Sequence, residues 1–258
     1  MAHCARVDAH CGRCEGSLPF EFTMAFQPIV DVAEARILAY EALVRGPQGQ
    51  SAASILGQVD ETVMYRFDQA CRVRAIELAS RLDMQATLSI NFLPNAVYEP
   101  NACIQATLEA CQRLDWPTRQ INFEITETEY VTDRNHLRNI IDTYHAMGFT
   151  TALDDFGAGY ANLDLLTELT PDTLKLDRQL VMNIDRDARR QALVRAVTGL
   201  VREIDIQLVA EGVETADESR WLYRQGIVRQ QGYYFARPGL ETLPKVAAEC
   251  FDAVRAGL

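Results

Sequence analysis

From about residue 20 onward, short runs rich in β-branched and aromatic residues alternate with longer stretches whose apolar positions recur every three to four residues. That alternation predicts repeated βα units around a parallel sheet. Strands are predicted at 24–30, 40–44, 87–92, 121–126, 151–155, 173–176, 207–210 and 228–235, and helices at 61–82, 102–113, 134–147, 187–203 and 243–256. In the third of these helices Leu137, Ile140, Ile141, Tyr144 and Met147 share one face, and Gly148 ends the pattern as a helix C-terminus does. Eight strands in one run predict an α/β fold, a TIM-like (β/α)8 barrel, which 258 residues suffice to build. Pro28 has no N–H to give to a central parallel strand, so the first strand is predicted to be irregular or to lie at an edge. No linker rich in Pro, Gly or Ser follows residue 20. The expected organisation is an N-terminal tail over 1–19 and one domain over 20–258.

Composition narrows the function classes. Apolar residues make up 48% and charged residues 24%, the balance of an ordinary globular domain. No apolar run reaches the roughly 18 residues of a membrane helix, and the N-terminus lacks the apolar stretch of a signal peptide, so a cytoplasmic protein is expected. The charge is −11, from 25 basic against 36 acidic residues, which argues against binding a long nucleic acid. Cysteines number seven, an odd count that does not suit a disulfide framework. Cys11-x-x-Cys14 has the spacing of half a zinc knuckle, and His3 or Cys4 with His10 could complete a structural Zn²⁺ site. Free thiols on an N-terminal tail are the simpler reading.

Acidic and amide residues recur at the C-terminal ends of the predicted strands: Glu41, Asn91, Glu124 with Glu127, Asp154 with Asp155, Asp177, and Glu211 with Glu214. In a parallel barrel these ends converge on one mouth, where active sites are built. Singly each is an ordinary strand-end carboxylate or helix cap. Together they would repel one another, and hard divalent cations such as Mg²⁺ or Mn²⁺ are the natural remedy. Lys175 lies among them, placed either to pair with Asp177 or Asp155 or to steer a water. Arg45, two residues beyond Leu43, is the other cation near the mouth, fit for a phosphate contact or for a surface salt bridge.

Glu41-Ala42-Leu43-Val44-Arg45 resembles the signature of the EAL-domain phosphodiesterases of bacterial cyclic di-GMP signalling. It stands in order with FQPIVD, SINFLP, FEITE, LDDFGAGY, LKLD, VAEGVET and QGYYFARP, over about residues 20–245. The resemblance implies a modified barrel whose first strand is antiparallel, which would account for Pro28. It also implies two cations, Mg²⁺ or Mn²⁺. Glu41, Asn91, Glu124 and Asp154 match the ligands of the first, and Asp154 with Asp155 and Glu211 match those of the second. Lys175 matches the lysine that contacts the attacking water, and Glu127 the glutamate that anchors the loop after the Asp pair. Gln27, Leu43, Arg45, Asp177, Glu214 and Gln231 match positions lining the substrate cleft. Leu93 and Ala161-Asn162 depart from the family's more usual residues, and none of these is a ligand position.

The function so implied is two-metal hydrolysis of cyclic di-GMP to linear pGpG by a homodimer. A catalytically silent cyclic di-GMP receptor is the alternative from a different class. Hydrolysis of another phosphoester also stays open on the residues alone.

Overall fold

Strand β1, Thr23–Asp31, is buried along its whole length and runs against both of its barrel neighbours. In the computed structural model, which describes residues 16–97, 99–126, 134–158, 163 and 165–256 and the backbone of 6–7 and 10–11, seven further strands complete the ring. They are β2 (Arg36–Arg45), β3 (Thr87–Asn91), β4 (Ile121–Thr126), β5 (Thr150–Phe156), β6 (Thr173–Leu176), β7 (Gln207–Ala210) and β8 (Arg229–Gln231). From β2 to β8 every pairing is parallel, and β1 closes the ring antiparallel to β2 and to β8. The expected modified eight-stranded α/β barrel is the observed fold.

Pro28 sits where this closure is interrupted. On the side away from β2, β1 pairs with β8 at Ile29–Asp31 and with a two-residue strand β9 (Gly239–Leu240) at Ala25 and Phe26. Gln27 and Pro28 fall between the two, and the β1–β2 register shifts just beyond, between Ile29 and Val30. A residue without an N–H is tolerated at such a break.

Helices α1 (Met64–Arg81), α2 (Gln105–Arg113), α3 (Arg134–Ala146), α4 (Ala188–Glu203), α5 (Ala216–Arg224) and α6 (Ala248–Arg255) wrap the ring. The predicted face of α3 is buried through Leu137, Ile140, Ile141 and Tyr144. Leu18, Phe20 and Phe22, ahead of β1, pack on the same core as α1 and α3.

Local signals explain where element boundaries differ from the predicted ones. The last strand stops at Gln231 because Gly232 crosses the backbone of Val213 so closely that a Cβ there would lie 2.0 Å from the Val213 carbonyl oxygen. The final helix begins only at Ala248, four residues after Pro244. The predicted 102–113 helix is broken at Ile104, between Pro100–Cys103 and α2. Helix α5 was not among the predicted elements, although Thr215 and Glu218 form a capping box at its start. Of the N-terminal Cys/His cluster, His3, Cys4 and Cys14 lie outside the described residues. His10 and Cys11 are described only as backbone, paired with Val7 and Arg6.

Candidate active site

The C-terminal ends of the parallel strands form one mouth, and the register brings the acids level. Asn91 pairs with Glu124 across β3 and β4, and Thr126 pairs with Asp154 across β4 and β5. Gln27 arrives from the opposite chain direction on β1, beside Glu41. A cavity of about 680 Å³ opens above them, lined in part by Gln27, Glu41, Leu43, Asn91, Asp154 and Asp155. Glu211, Glu214 and Gln231 complete its acid and amide lining.

Successive strand residues face opposite sides of a sheet, yet Asp154 and Asp155 both reach this cavity. The β5–β6 pairing skips between Leu153 and Phe156, and Asp155 takes a left-handed backbone conformation with φ of 57°. The bulge rotates the second carboxylate into the mouth, and the Asp155 N–H donates to Asp154 Oδ1 at 2.7 Å. A left-handed non-glycine residue costs roughly 1–2 kcal/mol, a cost typically retained at functional sites.

Lys175 lies beneath the cavity floor, fully buried. Its ammonium stands 2.6 Å from Glu124 Oε2, 2.6 Å from Glu211 Oε1, 3.0 Å from Asp154 Oδ2 and 3.8 Å from Glu41 Oε2. The pairing with Asp177 or Asp155 considered from spacing is therefore not the one formed. Asp177 instead caps the short helix Arg178–Val181, accepting from the Gln179 N–H at 2.8 Å. Arg45 folds back to donate to the Val44 carbonyl at 2.7 Å and is not among the residues lining the cavity. The lining cation is Arg178, which places Nε and Nη2 at 3.1 and 2.7 Å from Glu214 Oε1. Glu127 lies outside the described residues.

One ammonium meets four carboxylates, Glu41, Glu124, Asp154 and Glu211, with Asp155 next in line, and the titration of the group reflects it. Burial pushes Glu124 up against the pull of Lys175, with Glu41 and Asp154 adding to the push, and Glu211 is raised well above the carboxylate range for the same reasons. Asp155 is pushed up to about 6 by burial and by the charges of Asp154 and Asp177. Burial works against the Lys175 charge, yet Asp154, Glu124, Glu211 and Glu41 hold it well above the ordinary lysine value.

These residues fit divalent cations. Carboxylate oxygens of Glu41, Glu124 and Asp154 lie within 4.8 Å of one another, as do those of Asp154, Asp155 and Glu211, so two oxygen cages share Asp154. The buried Gln231 Oε1 has no hydrogen-bond partner, while its Nε2 donates to Glu41 Oε2 at 2.7 Å. Volume alone does not locate this site: a larger groove of about 970 Å³ runs between residues 18–23 and α1, and of its two acids, Glu21 and Glu241, the second is held by Arg74 and Arg81.

The EAL domain model matches residues 19–238. The chain belongs to the EAL domain family. A standalone versatile EAL protein from Vibrio cholerae O395, solved with c-di-GMP bound, is 49% identical with a TM-score of 0.88, covering 91% of this chain and 99% of that one. BlrP1 of Klebsiella pneumoniae, in a manganese/cy-diGMP complex, is 36% identical with a TM-score of 0.81, over 87% of this chain and 58% of that one. Among curated relatives, the blue light- and temperature-regulated antirepressor BluF of Escherichia coli K12 is 33% identical over 93% of this EAL chain. The probable cyclic di-GMP phosphodiesterase PdeG of the same strain is 30% identical over 84%. The chain spans 60% of the length of BluF and 45% of that of PdeG.

Sequence reasoning missed Arg178, Gly212, Gly232 and Tyr233 in the lining. Gly212 was findable as a strand-end glycine: its φ is 63°, and a Cβ there would lie 2.4 Å from Arg178 Cγ. Tyr233 is half exposed at the rim, with the Arg237 guanidinium 4.2 Å from its ring centroid. Among the described residues no helix is long and apolar enough to cross a membrane.

Proposed function

We propose that this EAL domain is a divalent-metal-dependent phosphodiesterase that hydrolyses cyclic di-GMP to linear pGpG. The observation that carries the reading is the pair of carboxylate cages sharing Asp154 on the floor of an open cavity. Glu41, Asn91, Glu124 and Asp154 would hold one Mg²⁺ or Mn²⁺, and Asp154, Asp155 and Glu211 a second. The bound ions supply an acidified water and charge neutralisation at the phosphoryl oxygens.

The protein's own residues do the rest. Lys175, held charged by the carboxylates around it, would orient the attacking water by turning one of its three N–H groups from a carboxylate to the water oxygen. The water oxygen bonds to phosphorus in line with the departing 3′-oxygen. The P–O3′ bond breaks, one water proton ends on the 3′-oxygen, and one ring opening gives pGpG. Gln27, Leu43, Glu214 and Gln231 bind the nucleotide, with Arg178 as the cation at the lining; Asp177 acts through the helix it caps. The same reading includes a homodimer, checked by sedimentation.

A second reading is a silent receptor that binds cyclic di-GMP without cleaving it; one relative, BluF, carries the name of an antirepressor and not of a phosphodiesterase. Turnover separates the two. Purified chain with Mn²⁺ and cyclic di-GMP is expected to yield pGpG by chromatography, and binding without product over many hours would leave the receptor reading standing.

A further inference from the structure

Outside the mouth, the most deeply buried charges in the described chain form an ion pair on α1. Asp68 and Arg72, one turn apart, are 2% and 0% exposed at the side chain, with Arg72 Nη2 at 2.5 Å from Asp68 Oδ2. Burying two charges recovers little stability, and a well-packed apolar pair often does as well. The second oxygen shows what the pair is placed to do. Asp68 Oδ1 accepts the backbone N–H of Leu93 at 3.0 Å.

Leu93 lies two residues beyond Asn91, where β3 has ended. The Phe92 N–H makes the last rung of the ladder, to the Glu124 carbonyl at 3.1 Å. The Leu93 amide has no strand left to pair with, and Pro94 behind it holds Leu93 extended, at φ −98° and ψ 105°. Arg72 also donates to the Tyr144 hydroxyl at 3.4 Å, and Tyr144 packs its ring against Phe92 and Phe123. The chain leaving Asn91 is thus gripped at its amide by α1 and at its aromatic ring by α3. Asn91 in turn donates to Glu41 Oε1 at 2.9 Å.

We propose that Asp68, steadied by Arg72, is a positioning residue: by accepting the Leu93 N–H it ends β3 so that the Asn91 side chain meets Glu41 as a ready cation-binding pair. The inference rests on the metal reading above and adds to it a buried acceptor some way outside the mouth. Outer contacts that orient ligands typically change metal affinity about 10–100-fold.

Two double variants of the full chain differ only in that acceptor. Asp68→Leu with Arg72→Met removes both charges and the oxygen, while Asp68→Asn with Arg72→Met removes the charges and keeps a carbonyl oxygen for Leu93. Titrating Mn²⁺ calorimetrically into substrate-free protein is expected to show about 10–100-fold weaker binding for the leucine variant. The asparagine variant is expected to stay within about threefold of the wild type, at matched melting temperature. Equal affinities in the two folded variants overturn the role of Asp68. A wild-type chain that binds no Mn²⁺ overturns the metal reading and this inference with it. Should the leucine variant not fold, amide exchange in the wild type decides: Mg²⁺ is expected to slow exchange at Leu93, and an unchanged rate in protein that binds Mg²⁺ overturns the proposal.

Discussion

The amide of Asn91 donates to Glu41 Oε1 at 2.9 Å, so two candidate ligands on adjacent strands hold one another. Gln231 grips the other Glu41 oxygen at 2.7 Å. As a ligand Glu41 would serve a cation while also accepting from two side-chain amide N–H groups.

Replacing it separates these roles. Glu41→Ala is expected to abolish detectable turnover. Stability should fall by only about 1–3 kcal/mol, because two amides lose a partner while like-charge repulsion in the mouth is relieved. Turnover assays beside thermal melts check this, and near wild-type activity would remove Glu41 from the site.

Lys175→Met removes the one cation held by the four buried carboxylates. In chelator this variant should melt well below the wild type, since breaking a buried ion pair costs about 3–5 kcal/mol. Added Mn²⁺ is expected to recover much of that loss. Turnover with Mn²⁺ should still fall about 10²–10⁴-fold in kcat with KM little changed. A rise in KM alone would reassign Lys175 to substrate binding.

On the proposed reading, protons and cations compete for the same oxygens. The Asp155 carboxyl titrates near 6 in the folded chain against an ordinary 3.8, so between these values the folded state holds a proton that the unfolded state has released. Raising the pH through that window therefore lowers the stability of the metal-free protein. Ligation needs the deprotonated group, so the rise in Tm produced by Mn²⁺ should be small at pH 5 and larger at pH 8. Melting curves across that range give the answer, and a shift that shrinks as the pH rises would contradict it.

Metal identity should matter for rate more than for occupancy. Chelation is expected to stop hydrolysis and Mg²⁺ or Mn²⁺ to restore it. Ca²⁺, which takes 6–8 oxygens at about 2.3–2.6 Å, should raise Tm yet leave turnover low. Equal rates with Ca²⁺ and Mg²⁺ would defeat the two-cation mechanism.

Arg178→Ala should raise KM for cyclic di-GMP by about tenfold and leave kcat within about twofold, as expected when a rim cation contributes binding shared by ground and transition states. A matching loss in kcat would place Arg178 closer to the reacting phosphate.

Strand periodicity put Glu41, Asn91, Glu124, Asp154 and Glu211 at strand ends, and closure of the barrel necessarily brings those ends together. That part of the site was legible in the chain. Side-chain direction was not. Nothing in the spacing says that Arg45 folds onto Val44, or that the acids claim Lys175 while Asp177 caps a helix. Arg178 reaches the mouth only because Gly212 leaves room for its stem. The bulge at Asp154–Asp155 was hidden as well, since strict alternation would send one of the two away from the cavity. Asp68 sits in an ordinary helical pattern, and its link to Leu93 exists only once α1 is packed on β3.

The reversed β1 also fixes how polypeptide reaches the barrel. Thr23, where β1 begins, pairs with Arg45, where β2 ends, so the chain enters at the rim of the mouth. In a barrel with every strand parallel, an incoming chain would arrive at the opposite, catalytically idle end. From the rim of the mouth the preceding residues Leu18, Phe20 and Phe22 turn onto the core beneath α1 and α3, so the stretch just ahead of the barrel ties the mouth to its helical wall. The reversal of one strand makes the barrel begin at the end where the candidate ligands gather.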